Sequence, residues 1–498
     1  MNATATGMMS LDKLLAGRAA APPVTVAGLE LDSRKIRPGE AFVAVQGLRT
    51  HGLDFVAQAL ERGARAVLFD PAEAAAPALP AGIVAVAVPA LRAQLGAIAD
   101  RCYGSPGARL SIAGVTGTNG KTTCAWLLAS AASTLGAKTA YVGTLGAGFP
   151  PAVEATTHTT PDVLGVHRIL ADVVAAGGVR VAMEVSSHAL DQDRLAAVHL
   201  EIAAFTNLTR DHLDYHGTLE AYAAAKQRIF GMPGLAHAVI NVGDAIGRDF
   251  AAALPAGVEL TAVSVAARPG VPAARTVTVS AIEPSSAGIV LTVQGDFGQR
   301  ILRSALIGDF NAENLAVVLG VLLAWGHPID AALAALAAAP PPPGRMEAFL
   351  TASGALAIVD YAHTPDALAK VLQATRRHAS RRLRVVFGCG GERDTGKRAL
   401  MGGIAERLAD EVIVTDDNPR REDPQQIVSM ILAGMTTPSR ARVIHGREAA
   451  IAAALDGATE GDVVVVAGKG HERQQFLGTE VREYSDRDCV SRLAGRAA

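Results

Sequence analysis

The chain reads as a series of short apolar runs, each closing on glycine or on a polar cluster, with alanine-rich stretches of helical character between them. SIAGVT, from Ser111, runs into a glycine-rich turn and then into CAWLLASAAS, whose length and composition suit a helix. VRVAMEV, Val179 to Val185, reads as a buried strand. This alternation predicts an α/β domain with a mainly parallel sheet over residues 109–340. Ahead of it lies a smaller segment, residues 1–108, with strands AFVAVQG and RAVLFD and the punctuated end Tyr103-Gly-Ser-Pro-Gly. Pro340 to Pro343 followed by Gly344 cannot continue a helix and makes a stiff second boundary. In residues 341–498 four apolar runs end in polar clusters: ALAIVDYAHTPD, LRVVFGCGGERD, EVIVTDDNPRRED and DVVVVAGKGHER. Ligands of open α/β sheets bind outside the carboxyl ends of the strands, so these clusters are expected to line one crevice.

Length and composition agree with this picture. A chain of 498 residues is too long for a single core, and the length prior gives about three domains. Half the residues are apolar and 19% are charged, the balance of a globular chain. A net charge of −2 gives no reason to expect nucleic acid, and the cluster Arg376, Arg377, Arg381, Arg382 and Arg384 reads as a solvated helix end and turn. Cys102, Cys124, Cys389 and Cys489 lack metal spacing and suit a reducing compartment. The N-terminus lacks the pattern of a signal peptide, and no apolar run is unbroken enough for membrane insertion. A cytoplasmic enzyme is the expectation.

The candidate chemistry begins at LSIAGVTGTNGKTT, Leu110 to Thr123. Gly117 and Gly120 let the backbone curl so that successive N–H groups, with those of Thr118 and Asn119, face phosphate oxygens above a helix N-terminus. Lys121 would reach the outer phosphates of ATP, and the Thr122 hydroxyl, beside Thr123, would sit on Mg²⁺. The spacing departs from the common P-loop, whose first glycine would fall at Val115. Glu184, at a strand end, suits a nucleotide's Mg²⁺ but is equally open to a structural role. In FTNLTRDHLDYHGT, the residues Asn207, Asp211, His212, Asp214 and His216 crowd together after an apolar run, which packing alone does not explain. Lys226, in EAYAAAKQRIF, reads by itself as a solvated helical lysine. Phe387-Gly-Cys-Gly-Gly lacks the third glycine of a dinucleotide fingerprint, and Asp394 to Arg398 reads as a polar loop.

Taken together, GTNGKTT, EVSSHAL, TNLTRDHLDYHGT and AYAAAKQRIF, in this order, resemble the Mur ligase family, which builds the peptide of the bacterial cell-wall precursor. DSR near the start, GDFNAENLAV, PGRME and DYAHTPDAL extend the resemblance over the whole chain. It implies an N-terminal UDP-sugar-binding domain, a central P-loop-type ATPase domain and a C-terminal Rossmann-like α/β domain that binds the amino acid, in a monomer. Asp417-Asn418-Pro419-Arg420 resembles the motif of those members that add meso-diaminopimelate to UDP-N-acetylmuramoyl-L-alanyl-D-glutamate. A guanidinium at Arg420 can grip the extra carboxylate of diaminopimelate, which L-lysine lacks. Arg393, Gly468 and Glu472 would complete that pocket. The resemblance further implies ATP contacts from Asn311, Arg345, Asp360 and His363. Ser33, Thr159, Thr160, Ser186, Gln192 and Arg194 would contact the nucleotide-sugar peptide, although TTHTTPD departs from the form of some relatives. Lys226 would react with CO₂ to give a carbamate that shares a second Mg²⁺ with Glu184 and His212. Lys121, Lys226 and His212 are the implied catalytic residues. An L-lysine-adding sister, a folylpolyglutamate synthetase-like enzyme and a P-loop binding protein without ligase activity are the rival readings; Arg420, the DSR-bearing first segment and GKGHE respectively oppose them.

Overall fold

The computed structural model describes residues 8–47, 50–266, 270–285 and 288–495. The chain divides into two compact units: residues 1–262 with 271–274 and 324–326, and residues 263–270 and 275–323 with 327–498.

In the first unit a small parallel sheet has the order β1 (Leu29–Glu30), β2 (Ala41–Ala44), β3 (Ala66–Phe69) and β4 (Val84–Ala87). Alternate residues enter different clusters: Ala41, Val43, Ala66 and Leu68 pack with the helix α1 (Leu91–Cys102), while Phe42, Ala44 and Val67 pack on the opposite face. Seven strands of a larger sheet lie wholly in this unit, β5 (Ser111–Thr116), β6 (Thr139–Gly143), β7 (Gly146–Phe149), β8 (Ala152–Glu154), β9 (Arg180–Glu184), β10 (Ile202–Phe205) and β11 (His237–Asn241), in the order β8-β7-β6-β9-β5-β10-β11. From β6 to β11 the neighbours are parallel; β7 and β8 form an antiparallel edge. The register sets Glu184 beside Val115, so strands β9 and β5 end together. Helices α2 (Lys121–Thr134), α3 (Val163–Ala175) and α4 (Leu219–Gln227) complete the elements that carry the site.

The second unit contains an antiparallel ribbon, β12 (Arg275–Ser285), β13 (Gly288–Gly295) and β14 (Gly298–Ser304). Its main sheet comprises β15 (Glu347–Leu350), β16 (Leu356–Asp360), β17 (Leu383–Phe387), β18 (Glu411–Val414), β19 (Arg442–Val443) and β20 (Val463–Ala467), ordered β15-β16-β20-β17-β18-β19. All pairs are parallel except β15 with β16. Val463, Val465 and Ala467 face one apolar cluster and Val464 and Val466 another, which explains the unbroken apolar run: both faces are covered. The hairpin β21 (Gln474–Leu477) and β22 (Glu480–Glu483) follows.

Two sequence expectations are corrected here. A helix, α5 (Gly396–Leu408), starts inside the stretch read as a polar loop, because the Asp394 carboxylate accepts the Gly396 N–H at 2.8 Å and caps the turn. The basic cluster is not merely solvated. Arg376 pairs with Asp410 and Arg382 with Glu411 and Asp462, while Arg384 is buried and donates to the Ala454 and Asp456 carbonyls. The four cysteines are buried and form no disulfide among the described residues. Among the described residues no helix is long and apolar enough to cross a membrane.

Arg447 and Asp486 form a fully buried bidentate pair with both N–O distances 2.7 Å. Asp486→Ala leaves that guanidinium without its counter-charge and should cost about 3–5 kcal/mol, read as a lower urea midpoint for the transition that includes the C-terminal sheet.

Candidate active site

The turn between β5 and α2 is held by the segment after β10. Thr118 N–H donates to the Asn207 carbonyl at 2.8 Å and Asn119 N–H to Asn207 Oδ1 at 3.0 Å, while the Thr206 hydroxyl donates to the Asn119 carbonyl at 2.6 Å. The approach is so close that a Cβ on Gly117, whose φ is +144°, would lie 2.0 Å from Thr206 Oγ1. Gly120, φ +88°, precedes α2 and supplies no side-chain cap, so first-turn N–H groups remain available to a ligand. Lys121 folds back over the turn, its Nζ donating to the Gly117 and Thr118 carbonyls at 2.8 and 2.9 Å.

Beneath this turn Glu184 is 1% exposed. Its carboxylate accepts from the Thr122 hydroxyl at 2.9 Å, the Thr144 N–H at 2.9 Å, the Thr144 hydroxyl at 3.1 Å and the Tyr141 hydroxyl. Gly143 has no room for a side chain, since a Cβ would lie 2.2 Å from Glu184 Oε1. Thr122 and Glu184 thus present adjacent hard oxygen donors, the donor type that Mg²⁺ prefers. Tyr141 and Thr144 escaped the sequence reading because they lie about forty residues from Glu184 in the chain, and only the pairing of β6 with β9 brings them together.

His212 has a left-handed backbone, φ +52°, and an exposed side chain. It belongs to a ring cluster, with its centroid 4.8 Å from His188 and 6.1 Å from Tyr222. Among the described residues no three or more His, Cys, Asp or Glu side chains form a metal-binding group. His216 Nε2 lies 3.0 Å from Ser187 Oγ, whereas Asp211 and Asp214 are exposed.

The reading of Lys226 as solvated is corrected. Its side chain is buried, with Nζ donating to the Gly117 carbonyl at 2.8 Å and lying 4.5 Å from the centre of the Tyr222 ring. Desolvation, aided by the Lys121 charge and opposed by Asp211, lowers its pKa to about 6. The amine is therefore largely neutral, and nucleophilic, near pH 7. The helical pattern alone did not show which face of α4 is covered.

Of the residues expected at the nucleotide-sugar peptide, Thr160, Ser186, Gln192 and Arg194 are linked by hydrogen bonds, whereas Thr159 and Ser33 bond to other side chains. Thr160 Oγ1 donates to the Glu184 carbonyl at 2.8 Å and accepts from the Ser186 N–H at 3.1 Å. Arg194 donates to the Thr160 carbonyl at 2.8 Å and to Gln192 Oε1 at 2.7 and 3.0 Å. Thr159 and Thr144 hydroxyl oxygens lie 3.1 Å apart. Ser33 donates to Gln58 Oε1 at 2.7 Å. Its loop is organised by a residue the sequence did not disclose. Arg168, on α3, donates to the Leu29 carbonyl at 2.7 Å and pairs with Glu30 and Glu40 at 3.3 and 3.7 Å. Glu30 in turn accepts the N–H groups of Leu31 and Asp32, and Glu40 that of Arg37, so one guanidinium ties both ends of the Ser33 loop.

In the second unit, Asp360 ends β16 and is buried, accepting from Met346 N–H and Ala362 N–H at 2.8 Å each. Burial raises its pKa, with Arg345 opposing. Arg345 lies 4.8 Å from the Tyr361 ring centre, and His363 is exposed, with Nδ1 2.8 Å from the Tyr361 carbonyl. Asn311 is buried and donates to the Ile307 carbonyl at 2.8 Å.

Asp417, Asn418 and Pro419 are buried after β18. Arg420 adopts a left-handed backbone, φ +53°, and its N–H donates to the Phe476 carbonyl at 3.0 Å, its Nη1 to the Gly391 carbonyl at 2.8 Å. A non-glycine residue held in that region costs about 1–3 kcal/mol, and such strain concentrates at ligand sites. Glycine is required at 468, φ +121°, where a Cβ would lie 2.6 Å from Asp417 Oδ2. Asn418 Nδ2 donates to Glu472 at 3.1 Å, while Arg393 is exposed. Lys469, from the GKGHE run, joins Asn418 and Glu472 from a buried position.

Comparison with known proteins agrees with this geometry. Residues 25–103 match the "Mur ligase family, catalytic domain", residues 115–322 the "Mur ligase middle domain" and residues 344–470 the "Mur ligase, glutamate ligase domain". The chain is 48% identical to the UDP-N-acetylmuramoyl-L-alanyl-D-glutamate--2,6-diaminopimelate ligase of Ectopseudomonas mendocina (strain ymp), with 96% of each chain covered. It is 49% identical to the ligase of the same name from Xanthomonas campestris pv. campestris (strain 8004), again with 96% of each covered. A solved structure of a ligase of that name superposes with a TM-score of 0.71 at 36% identity, covering 98% of this chain and 99% of the other. A folylpolyglutamate synthase from Mycobacterium tuberculosis, 19% identical with a TM-score of 0.58, shares the fold over 76% of this chain and 92% of its own. With three matched domains in order, a phosphate turn over a buried strand-end carboxylate and near-complete coverage of its relatives, the chain belongs to the Mur ligase family.

Proposed function

We infer that this protein is an ATP-dependent, ADP-forming ligase that adds meso-diaminopimelate to UDP-N-acetylmuramoyl-L-alanyl-D-glutamate in peptidoglycan precursor synthesis. The observation that carries the reading is the match, at 48% identity over nearly the whole length, to ligases named for that reaction. The Asp417-Asn418-Pro419-Arg420 turn, in which buried Asn418 donates to Glu472, is consistent with it. Residues 1–108 would bind the UDP-sugar, 109–340 ATP and 341–498 the amino acid. ATP and the nucleotide-linked precursor suit a cytoplasmic location.

In this reading the D-glutamyl γ-carboxylate attacks the γ-phosphorus of ATP, releasing ADP and leaving an acyl phosphate. The diaminopimelate amine then attacks the acyl carbon, and phosphate departs as the amide forms. Activation is needed because a carboxylate is a poor acyl donor. Gly117 to Thr123 would hold the phosphates through backbone N–H groups, with Lys121 countering charge on the transferred group. Thr122 would serve one Mg²⁺, and Glu184, His212 and a Lys226 carbamate would hold a second; bound Mg²⁺ supplies charge neutralisation on the phosphates. The carbamate forms from a neutral amine and CO₂, with release of one proton, and the low pKa of Lys226 keeps the amine in the reactive form. Asn311, Arg345, Asp360 and His363 would contact ATP. Ser33, Thr159, Thr160, Ser186, Gln192 and Arg194 would orient the nucleotide-sugar peptide. The Arg420 guanidinium would pair with the second carboxylate of diaminopimelate and Glu472 with its ammonium, while Arg393 and Gly468 complete the pocket.

The decisive test is mass spectrometry of the product formed from the UDP-linked dipeptide and ATP with diaminopimelate and L-lysine in competition. The diaminopimelate tripeptide should dominate, and a lysine product would overturn the assignment. Lys226→Ala should abolish most activity, and formate or acetate should restore part of it by supplying the missing anion; full activity without rescue would remove the carbamate from the mechanism. Arg420→Lys should raise the diaminopimelate KM about tenfold or more, as expected for loss of a bidentate charged pair, while the ATP KM stays within about twofold. Equal shifts in both constants would remove Arg420 from amino-acid recognition.

A further inference from the structure

Lys469 follows Gly468 at the end of β20, and its side chain is fully buried. An ammonium group has three donors, and all three have partners: Asn418 Oδ1 at 3.1 Å, Glu472 Oε2 at 2.9 Å and the Gln474 carbonyl at 2.7 Å. Asn418 Nδ2 closes the ring by donating to the same Glu472 oxygen at 3.1 Å. The amide orientation follows from its surroundings, since Oδ1 also accepts the Phe476 N–H at 3.1 Å.

From this ring we propose that Lys469 is a positioning residue that sets the enzyme's choice of amino acid. It rests on the reading of Asn418 and Glu472 as diaminopimelate contacts. Glu472 spends Oε2 on Lys469 and Asn418, leaving Oε1 to face a ligand ammonium from a fixed direction. The Lys469 ammonium, 2.9 Å from Glu472 Oε2, also counters the Glu472 charge, so a bare ammonium gains less there. Useful binding then needs the ammonium and the neighbouring carboxylate of diaminopimelate together, the latter on Arg420. With Lys469 neutral, Glu472 carries an uncompensated charge and turns freely. It would then hold the side-chain ammonium of L-lysine better and the two-point ligand worse.

The test measures kcat/KM for diaminopimelate and for L-lysine, with the ATP KM as internal reference, in wild type, Lys469→Met, Lys469→Gln and Arg420→Ala. Lys469→Met keeps the side-chain length; Lys469→Gln retains donors should the methionine variant fold poorly. The expected result is a fall of about tenfold or more in the diaminopimelate-to-lysine ratio in both Lys469 variants, carried by the amino-acid KM while the ATP KM is unchanged. A loss of kcat with an unaltered ratio is what a purely structural lysine would give, and overturns the proposal. If Arg420→Ala changes the ratio and the Lys469 variants do not, the positioning role falls and the pocket assignment stands. If none of the variants changes it, the pocket assignment itself falls, and the role of Lys469 with it.

Discussion

A charged side chain buried where a parallel strand ends must find its hydrogen bonds within the protein, and each unit of this molecule is arranged around that requirement. An unpaired ion in a low-dielectric interior costs several kcal/mol even after relaxation, roughly the whole stability of a domain. Glu184 in the first unit meets the requirement with Thr122, Tyr141 and Thr144. Asp360 in the second meets it with two backbone N–H groups, and Lys469 with three acceptors. These charges lie at strand ends because the last residue of a parallel strand leaves the ladder while still shielded by its neighbours. A polar group there is dry enough to interact strongly and open enough to meet a ligand.

The same requirement dictates the loop shapes. The Gly117 turn must approach Thr206 and Asn207 closely enough for backbone groups to pair, which removes the space for a Cβ. At Gly391 a Cβ would lie 1.9 Å from the Pro419 carbonyl, and this close approach is what lets Gly391 N–H donate to the Asn418 carbonyl at 2.9 Å. Arg420 is driven into its left-handed conformation in the same region, with its N–H and carbonyl both engaged by the Phe476–Gly478 segment. The glycines and the strained arginine are thus parts of one solution: loops packed against loops, with no apolar layer between them.

Residues whose placement follows from local order were legible in the sequence. The turn between β5 and α2 shows in the sequence as a strand, two glycines and Lys-Thr in succession, and Glu184 as the close of an apolar run, whereas Asp360 is marked only by the family resemblance. The alternation of strands and helices gave the α/β class for the same reason, since periodicity is a local property. What stayed hidden depends on contacts distant in sequence. Lys226 looks solvated on its helix until Gly117, 109 residues away, accepts its Nζ. Arg168 is one more basic residue on an amphipathic helix until Glu30 and Glu40 meet it. Arg384 sits in a run of arginines, and only the fold separates the buried one from its half-buried and exposed neighbours. The start of α5 was missed because Asp394, a good turn former, is also a good helix initiator, and nothing local decides between the two.

The hidden residues share a chemical character with a physical reason. Arg168, Arg447 and Lys469 are cations whose several donors bind carbonyl and carboxylate oxygens from separate segments. Polar loops present an excess of carbonyl oxygens that water would otherwise serve, and a buried guanidinium or ammonium replaces several waters with one tethered donor group. Apolar packing could not do this, because it would leave those oxygens unsatisfied. Such a cation also lowers the net charge of the acids it holds, as Lys469 does for Glu472. A carboxylate near a binding surface can then be fixed in place without becoming an indiscriminate trap for any ammonium group. Placing the cation behind the acid, rather than deleting the acid, keeps the directional acceptor while weakening the long-range pull. Recognition then rests on geometry, and charge alone is not enough to satisfy it.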